Sequence, residues 1–479
     1  MSGLFAEPLK VLNVGVRSFA DSIAKAEATV VHVEWRPPAG GQISVGRTLA
    51  RLINDQQVEQ ANRTAFSAFL EAQLVLEDVR PAAELIPDLG GRLLLHAGPP
   101  IAWERMCGPM QGAIVGAILF ENWAAMPEDA TSLAASGKIK FAPCHHYGAV
   151  GPMAGIISPS MPLWSVRNAA GRNRAFSNLN EGFGKVLRFG ANSPDVLKRL
   201  RWMSATLGPS LGNALRKMGG IELKSLMAQS LHMGDELHNR NVAASSLLLK
   251  RLLPELLESG QPSAEIANVV RFIASNDHFF LNVSMAACKA TLDAAGGVPN
   301  SSLVTVMARN GVEFGIRMSG MGDAWFTAPA PIVSGLYFPN YGPEDAALDL
   351  GDSAITETAG LGGFAMAAAP AIVQFVGGVP ADADAHTRRM RRITLGVNPA
   401  FTIPALNFAG APAGIDARKV VDRGIVPVMD TGIAHRAAGI GQIGAGISHA
   451  PIECFVGAIA ALAQKLSPMT HSAPSLKVT

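Results

Sequence analysis

The stretch HMGDELHNR at 232–240 concentrates polar chemistry between two apolar flanks, SLMAQSL and VAASSLLL. Continued as a helix, it sets His232, Asp235, Glu236 and Asn239 at i, i+3, i+4 and i+7, on one face. An imidazole beside carboxylates at that spacing supplies a general base with its orienting partner, or ligands for a metal. A solvated helix face is the plain alternative, but the apolar flanks favour an inward cluster. A second histidine pair stands in CHHYGAVGPM at 144–153. Neighbouring side chains on a strand point to opposite faces, so at most one of His145 and His146 readily faces a site. That one is a candidate for catalysis or substrate binding. No third residue follows at a zinc-ligand spacing, so no metal is assigned to the pair.

Seats for an anion are the second theme. NEGFGKVLRFG at 180–190 opens on Asn180 and sets Lys185 and Arg188 after two glycines. Exposed amides, an ammonium and a guanidinium fork suit phosphate or carboxylate. The stretch is not a Walker A loop, which needs GxxxxGK followed by Ser or Thr. GIGQIGAG at 439–446 contains GxGxxG at Gly439, Gly441 and Gly444. A dinucleotide fingerprint requires a strand directly before and a helix directly after. Here HRAA precedes and the next helix begins only after Pro451, which rejects that reading. An amide loop for an anion at Gly441 and Gly444 stays open. Just upstream, MDTGIAHR brings Asp430, Thr431 and His435 to a strand end, where sites of α/β proteins form.

Residues 303–318 (LVTVMARNGVEFGIRM) alternate on both sides of Asn310-Gly311. Asn-Gly tolerates the positive φ of a tight turn, so a hairpin is expected. Val312, Phe314, Ile316 and Met318 share one face. Asn310, Glu313 and Arg317 are left as substrate-facing candidates against an ordinary exposed strand face. In GDSAITE, Asp352 reads as a helix N-cap, with Glu357 following.

These residues need elements to position them. Residues 9–16 and 29–35 read as strands on either side of a short helix at 18–27, the opening of a doubly wound α/β domain. The turn at Gly15 could hold a phosphate, and Glu34 stands near ribose-binding spacing, but one glycine is no fingerprint. Helices are expected at 57–79 and 110–124, with a strand at 92–96 between them. The middle reads as helices at 195–218, 222–257, 263–275 and 280–295. After the hairpin come a Gly-rich helical region at 352–377, a basic helix at 384–394, a strand at 425–429 and a helix at 451–466. The expected fold is therefore α/β: a Rossmann-like doubly wound domain at 1–165, a mainly helical domain at 166–300 and a mixed, Gly-rich α/β domain at 301–466. A disordered tail is expected at 467–479.

Composition narrows the function. The 479 residues are 48% hydrophobic and only 16% charged, with 49 Gly and a net charge of +2. That balance excludes a disordered chain, and the absence of a long basic run argues against nucleic-acid binding. So little charge implies extensive burial, subunit interfaces included, and hence a homo- or hetero-oligomer. The four cysteines lack CxxC spacing, which fits a reduced, cytoplasmic setting. The stretch 359–381 carries no charge and is long enough to span a membrane. Its Gly and Ala content and Pro370 favour a buried, closely packed helix instead, with no membrane role.

Together, VLNVGVRSFA, HVEWRPPAGG, HHYGAVGPMAGIIS, NEGFGKVLRFGA, HMGDELHNRN, FFLNVSMAACKA, MARNGVEFGIR, GDSAITETAGLGGFAM and TGIAHRAAGIGQIGAG resemble the YlbE/AllG-type family, from about residue 8 to 466. The chain departs from that pattern at Gln42, where Asp is expected. The resemblance implies a subunit of oxamate carbamoyltransferase, working beside FdrA/AllF-type and YlbF/AllH-type partners. That enzyme interconverts oxalurate plus phosphate with oxamate plus carbamoyl phosphate, and needs no organic cofactor. The reaction needs anion seats, oxyanion donors and a base for the amide nitrogen. The expected pool is His145, His146, His232, Glu236, Glu313 and His435 for catalysis. Asn180, Lys185, Arg188, Asn239, Asn310, Arg317, Thr431, Gly441 and Gly444 are expected for the small anionic substrate. Within it, Lys185 and Arg188 would hold phosphate, His232 with Glu236 the proton, and Arg317 the substrate carboxylate. The alternatives are a non-catalytic scaffold subunit and a metal-dependent amidohydrolase.

Overall fold

A computed structural model describes residues 9–33, 35 and 37–466; Glu34 and the tail at 467–479 lie outside them. The chain is mixed α/β, with several small sheets bound together by helices. The N-terminal βαβ unit forms as expected: Lys10–Val14 pairs in parallel with Thr29–Val33 across helix Arg17–Lys25. The doubly wound sheet does not. Among the described residues this parallel pair gains no third strand. Leu93–His96 and Lys140–Pro143 form a separate parallel pair. Leu74–Pro81 instead joins a five-stranded sheet, antiparallel to Pro162–Asn168 on one side and Ile221–Glu222 on the other. The helix expected over 57–79 accordingly ends at Glu71. From Leu74 to Asp78 the chain alternates buried and half-buried residues with period two, which is strand behaviour.

The hairpin follows its sequence. Val304–Asn310 pairs antiparallel with Glu313–Met318, and Gly311 takes φ +79° at the turn. Phe314, Ile316 and Met318 are fully buried against helix Ile452–Leu466. The Gly-rich stretch after 352 differs from the long helix expected. It folds as a chain of short turns, Gly362–Phe364, Met366–Ala368 and Pro370–Ile372, before the four-residue helix Val373–Val376. Gly360 and Gly362 take positive φ, which no continuous right-handed helix admits. Among the described residues no helix is long and apolar enough to cross a membrane.

The largest apolar core draws side chains from Ala65 to Ala434. Helix Leu281–Ala294 runs through it, buried from Leu281 to Leu292. The loop 349–363 is buried throughout. It carries Asp349, Asp352 and Glu357 into the interior beside strand Val428–Ala434.

A buried carboxylate–histidine cluster and its cavity

Helix Leu223–His232 stops because Gly234 takes φ +98°. The amides of Met233, Gly234 and Asp235 fold back onto the carbonyls of Gln229, Leu231 and Ser230, closing the helix end. The single helix expected over 222–257 is thus broken, and the shared face of His232, Asp235, Glu236 and Asn239 does not form. His232 stays at the surface, with Nε2 2.9 Å from Thr402 Oγ1 and its ring edge-on to Phe408. Glu236 turns inward, where its side chain accepts from the Arg240 amide at 2.8 Å. Asp235 accepts from the Ala244 amide at 2.8 Å and secures the start of helix Val242–Leu257.

The side chain that meets the carboxylates is His238. Its Nδ1 lies 2.7 Å from Glu357 Oε1 and 3.4 Å from Asp430 Oδ1. The side chains of Glu357 and Asp430 are fully buried. Glu357 comes from the short helix Ile355–Thr358 and also accepts from the Gly363 amide at 2.9 Å and Thr356 Oγ1 at 2.9 Å. A Cβ on Gly362 would collide with Glu357 Oε1, so the loop needs glycine there to close over the carboxylate.

So many buried acids cannot all ionise. Burial pushes the Glu236 carboxyl up to about 8, against the pull of the Arg240 amide. Burial, then the charges on Glu236 and Glu357, raises Asp430 well above the usual carboxylate range. Burial opposes ionisation of Glu357 as well, but the His238 ring and the Gly363 amide outweigh it and hold that carboxyl low. Of the three, Glu357 ionises most readily, while burial disfavours the charged forms of Glu236 and Asp430.

Asn239 and Arg240 carry the chain from this cluster to the wall of a cavity of about 440 Å³, shared with Phe183, His278, Phe375 and Gln442. Arg240 Nε donates to Gly234 O at 3.2 Å, which orients the guanidinium, and no carboxylate pairs with it among the described residues. His278 packs on Phe183 with ring centroids 4.5 Å apart. Burial, with the Arg188 charge beside it, pushes the His278 imidazole down to about 3. It is a neutral hydrogen-bonding group there, not an acid. A folded pKa below the unfolded value places its stability contribution above about pH 6.5, with loss as pH falls towards 3. The His278→Gln variant is expected to lose less stability than the parent on going from pH 6.5 to 4. The difference is about 1–2 kcal/mol because the ring is only half-buried. Parallel curves of unfolding midpoint against pH would contradict this.

The other expected residues scatter. Lys185 is exposed on the loop that supplies Phe183. Arg188 is buried, donates to Gly182 O at 2.9 Å and lies over the Phe189 ring, so the two do not build one phosphate seat. Asn180 is consumed by Asn282, Asn276 and the Gly182 amide. His145 is fully buried with Nε2 3.4 Å from Asp352 Oδ1. Asp352 is no helix cap; it ties the Gly98 and Gly151 amides together. His146 accepts from Trp325 Nε1 at 2.8 Å, and Arg317 spans Asp323 and the His145 carbonyl. Asn310 holds the hairpin, accepting from the Val312 and Glu313 amides, and Glu313 pairs with Arg105 at 3.2 Å.

Thr431 accepts from Arg309, and His435 Nδ1 accepts from the Ala437 amide. The glycine-rich loop is not an anion cradle: Gly444 lies inside strand Gln442–His449, between two partner strands. Gly441 takes φ +117° and leaves no space for a Cβ against the Gly184 carbonyl. Both glycines serve close packing. Of the expected pool, Glu236 reaches the cluster and Asn239 the cavity. Sequence reasoning misses His238, Arg240, His278 and Arg309. His238 and Arg240 flank Asn239 within the stretch 232–240, but they fall off the helix face expected there.

A family model described as oxamate carbamoyltransferase subunit AllG matches residues 139–353. The oxamate carbamoyltransferase subunit AllG of Escherichia coli (strain K12) is 50% identical over 412 residues, covering 85% of this chain and 98% of the relative. The chain belongs to the AllG family. A second relative of this AllG-family chain, described as the uncharacterized protein YahG of Escherichia coli (strain K12), is 47% identical over 459 residues. That match covers 95% of this chain and 97% of the relative. The AllG fold is also present in the crystal structure of a conserved protein of unknown function from Enterococcus faecalis V583. The two agree with a TM-score of 0.85 at 48% identity, over 86% of this chain and 99% of that one. The family resemblance carried by the sequence motifs is therefore borne out.

Proposed function

We propose that this chain is a subunit of a carbamoyltransferase that interconverts carbamoyl phosphate plus a small amide acid, such as oxamate, with a ureido acid, such as oxalurate, plus phosphate. The observation that carries this reading is its 50% identity with a protein named as an oxamate carbamoyltransferase subunit, over 98% of that protein. The cavity supports it. In the forward sense the amide nitrogen attacks the carbamoyl carbon, the carbon–oxygen bond to phosphate breaks, and one nitrogen proton must leave. Arg240 is the seat for phosphate or carboxylate, a role for which a guanidinium fork is suited. Glu236, once ionised, takes the proton; its carboxyl accepts from the backbone amide of that same arginine. An amide is a weak nucleophile, so fixed orientation in the cavity has to supply several kcal/mol of the barrier reduction.

A scaffold role draws its support from the N-terminal βαβ unit. Leu12 is 65% exposed, Phe19 63% and Trp35 61%, an unusual degree for large apolar side chains standing together. A second subunit covering that unit is consistent with both readings. Phosphate release is to be measured with carbamoyl phosphate, with and without oxamate, for the chain alone and with its companion subunits. Oxamate-dependent release in either preparation is expected. No oxamate-dependent release in both contradicts the transferase reading.

A further inference from the structure

The middle of the cluster has the geometry of a cation site. Two ligand atoms at about 2.1 Å from one ion stand roughly 3.0–3.4 Å apart at octahedral or tetrahedral angles. His238 Nδ1 is 3.4 Å from Asp430 Oδ1, within that range; its 2.7 Å to Glu357 Oε1 is a hydrogen bond that an ion would replace, opening the pair by a few tenths of an ångström, and the three ligand atoms all lie within 4.8 Å of one another. A second observation is independent of these distances. Asp430 is fully buried, and neither carboxylate oxygen accepts a hydrogen bond from a donor group among the described residues; what faces it is a second carboxyl, that of Glu357. Buried polar atoms left in that condition are rare and costly, and an ion is one of the few things that satisfies them. Charge points the same way. Glu236, Glu357 and Asp430 share the pocket with one imidazole, and no Lys or Arg pairs with any of them among the described residues.

We propose that His238, Glu357 and Asp430 bind one divalent transition-metal cation, with Glu236 beside it and the cavity at Asn239 and Arg240 as its outlet. One imidazole with several carboxylate oxygens matches Mn²⁺ best. The nitrogen ligand disfavours Ca²⁺ and Mg²⁺, and the absence of thiolate removes the strongest preference for Zn²⁺. The fixed Glu357 and the glycine beneath it give the ion a rigid floor, since the Gly363 amide and Thr356 hydroxyl already hold that carboxylate. Binding of the ion does not depend on the transfer reading.

The full chain, stripped with a chelator and then dialysed, is to be titrated with MnCl₂ by calorimetry, with the unfolding midpoint followed in parallel. One saturable site per chain is expected, with a rise in midpoint on Mn²⁺ addition. Asp430→Asn and Glu357→Gln are each expected to weaken binding roughly tenfold or more. Should either variant fail to fold, the electron-spin-echo spectrum of Mn²⁺ on the parent decides the matter: coupling to one imidazole nitrogen is expected. No saturable Mn²⁺ binding by the folded parent, binding by the Asp430→Asn variant equal to the parent's, or bound Mn²⁺ without nitrogen coupling would each overturn the site.

Discussion

Replacing Arg309 by Ala is expected to remove about 3–5 kcal/mol of folding stability, the cost of stripping one partner from a buried ion pair. Arg309 and Asp349 are both fully buried, 2.8 Å apart. The same guanidinium donates to Gly351 O at 2.8 Å and to Thr431 Oγ1 at 3.2 Å. It thereby joins three pieces of chain: the hairpin strand, the loop 349–363 and strand Val428–Ala434. Without it, Asp349 is left ionised in a dry interior, or must take a proton at a cost of several kcal/mol. The double variant Arg309→Met with Asp349→Asn removes both charges and is expected to recover a large part of the loss. Urea unfolding of the parent and both variants measures this. A loss under about 1 kcal/mol for Arg309→Ala, or no recovery in the double variant, would show that the pair is not a structural brace.

Arg240→Ala carries the largest expected effect on activity. Its guanidinium lines the cavity, is oriented by the Gly234 carbonyl and has no carboxylate partner among the described residues. Truncating one partner of a desolvated charge pair costs about 2–5 kcal/mol, so kcat/KM for the transferase is expected to fall roughly 10²-fold or more. Arg240→Lys keeps the charge but loses the fork, and is expected to recover only part of it. Stability should change little, because the side chain makes a single hydrogen bond, to the Gly234 carbonyl, and the contact with Glu236 comes from the Arg240 backbone amide. An unchanged kcat/KM in an active complex would move the chemistry to another subunit and favour the scaffold reading.

Local order is the part of the molecule that its sequence reveals. The hairpin at 304–318 is legible because alternation and Asn-Gly specify the same register. Helices Ser263–Ala274, Leu281–Ala294 and Ile452–Leu466 are legible as apolar stretches set off by Gly, Pro and Ser. The family is legible because nine motifs agree across nearly the whole chain. Sheet order is not legible, because a βαβ opening says nothing about which strand pairs next. Leu74–Pro81 finds antiparallel partners instead of extending a doubly wound sheet.

The site is only half legible for a similar reason. Glu236 is visible, but a helix carried through Gly234 places it beside His232, on a face that does not exist. His238 meets Glu357 across 119 residues of sequence, a contact no local spacing encodes. Arg309 is hidden inside a strand whose pattern draws attention to its neighbours. Asn310, Asn180, Gly441 and Gly444 look functional because turns and close packing select the same residue types as anion sites do.

If the cavity beside His238, Glu357 and Asp430 is where the transferred group is handled, a crystal of the protein soaked with oxalurate and phosphate tests it most directly. Both ligands are expected within that cavity, with an anionic group on Arg240 and Asn239 or Gln442 within hydrogen-bond reach. Ligands ordered at another site, with this cavity empty, would contradict that assignment.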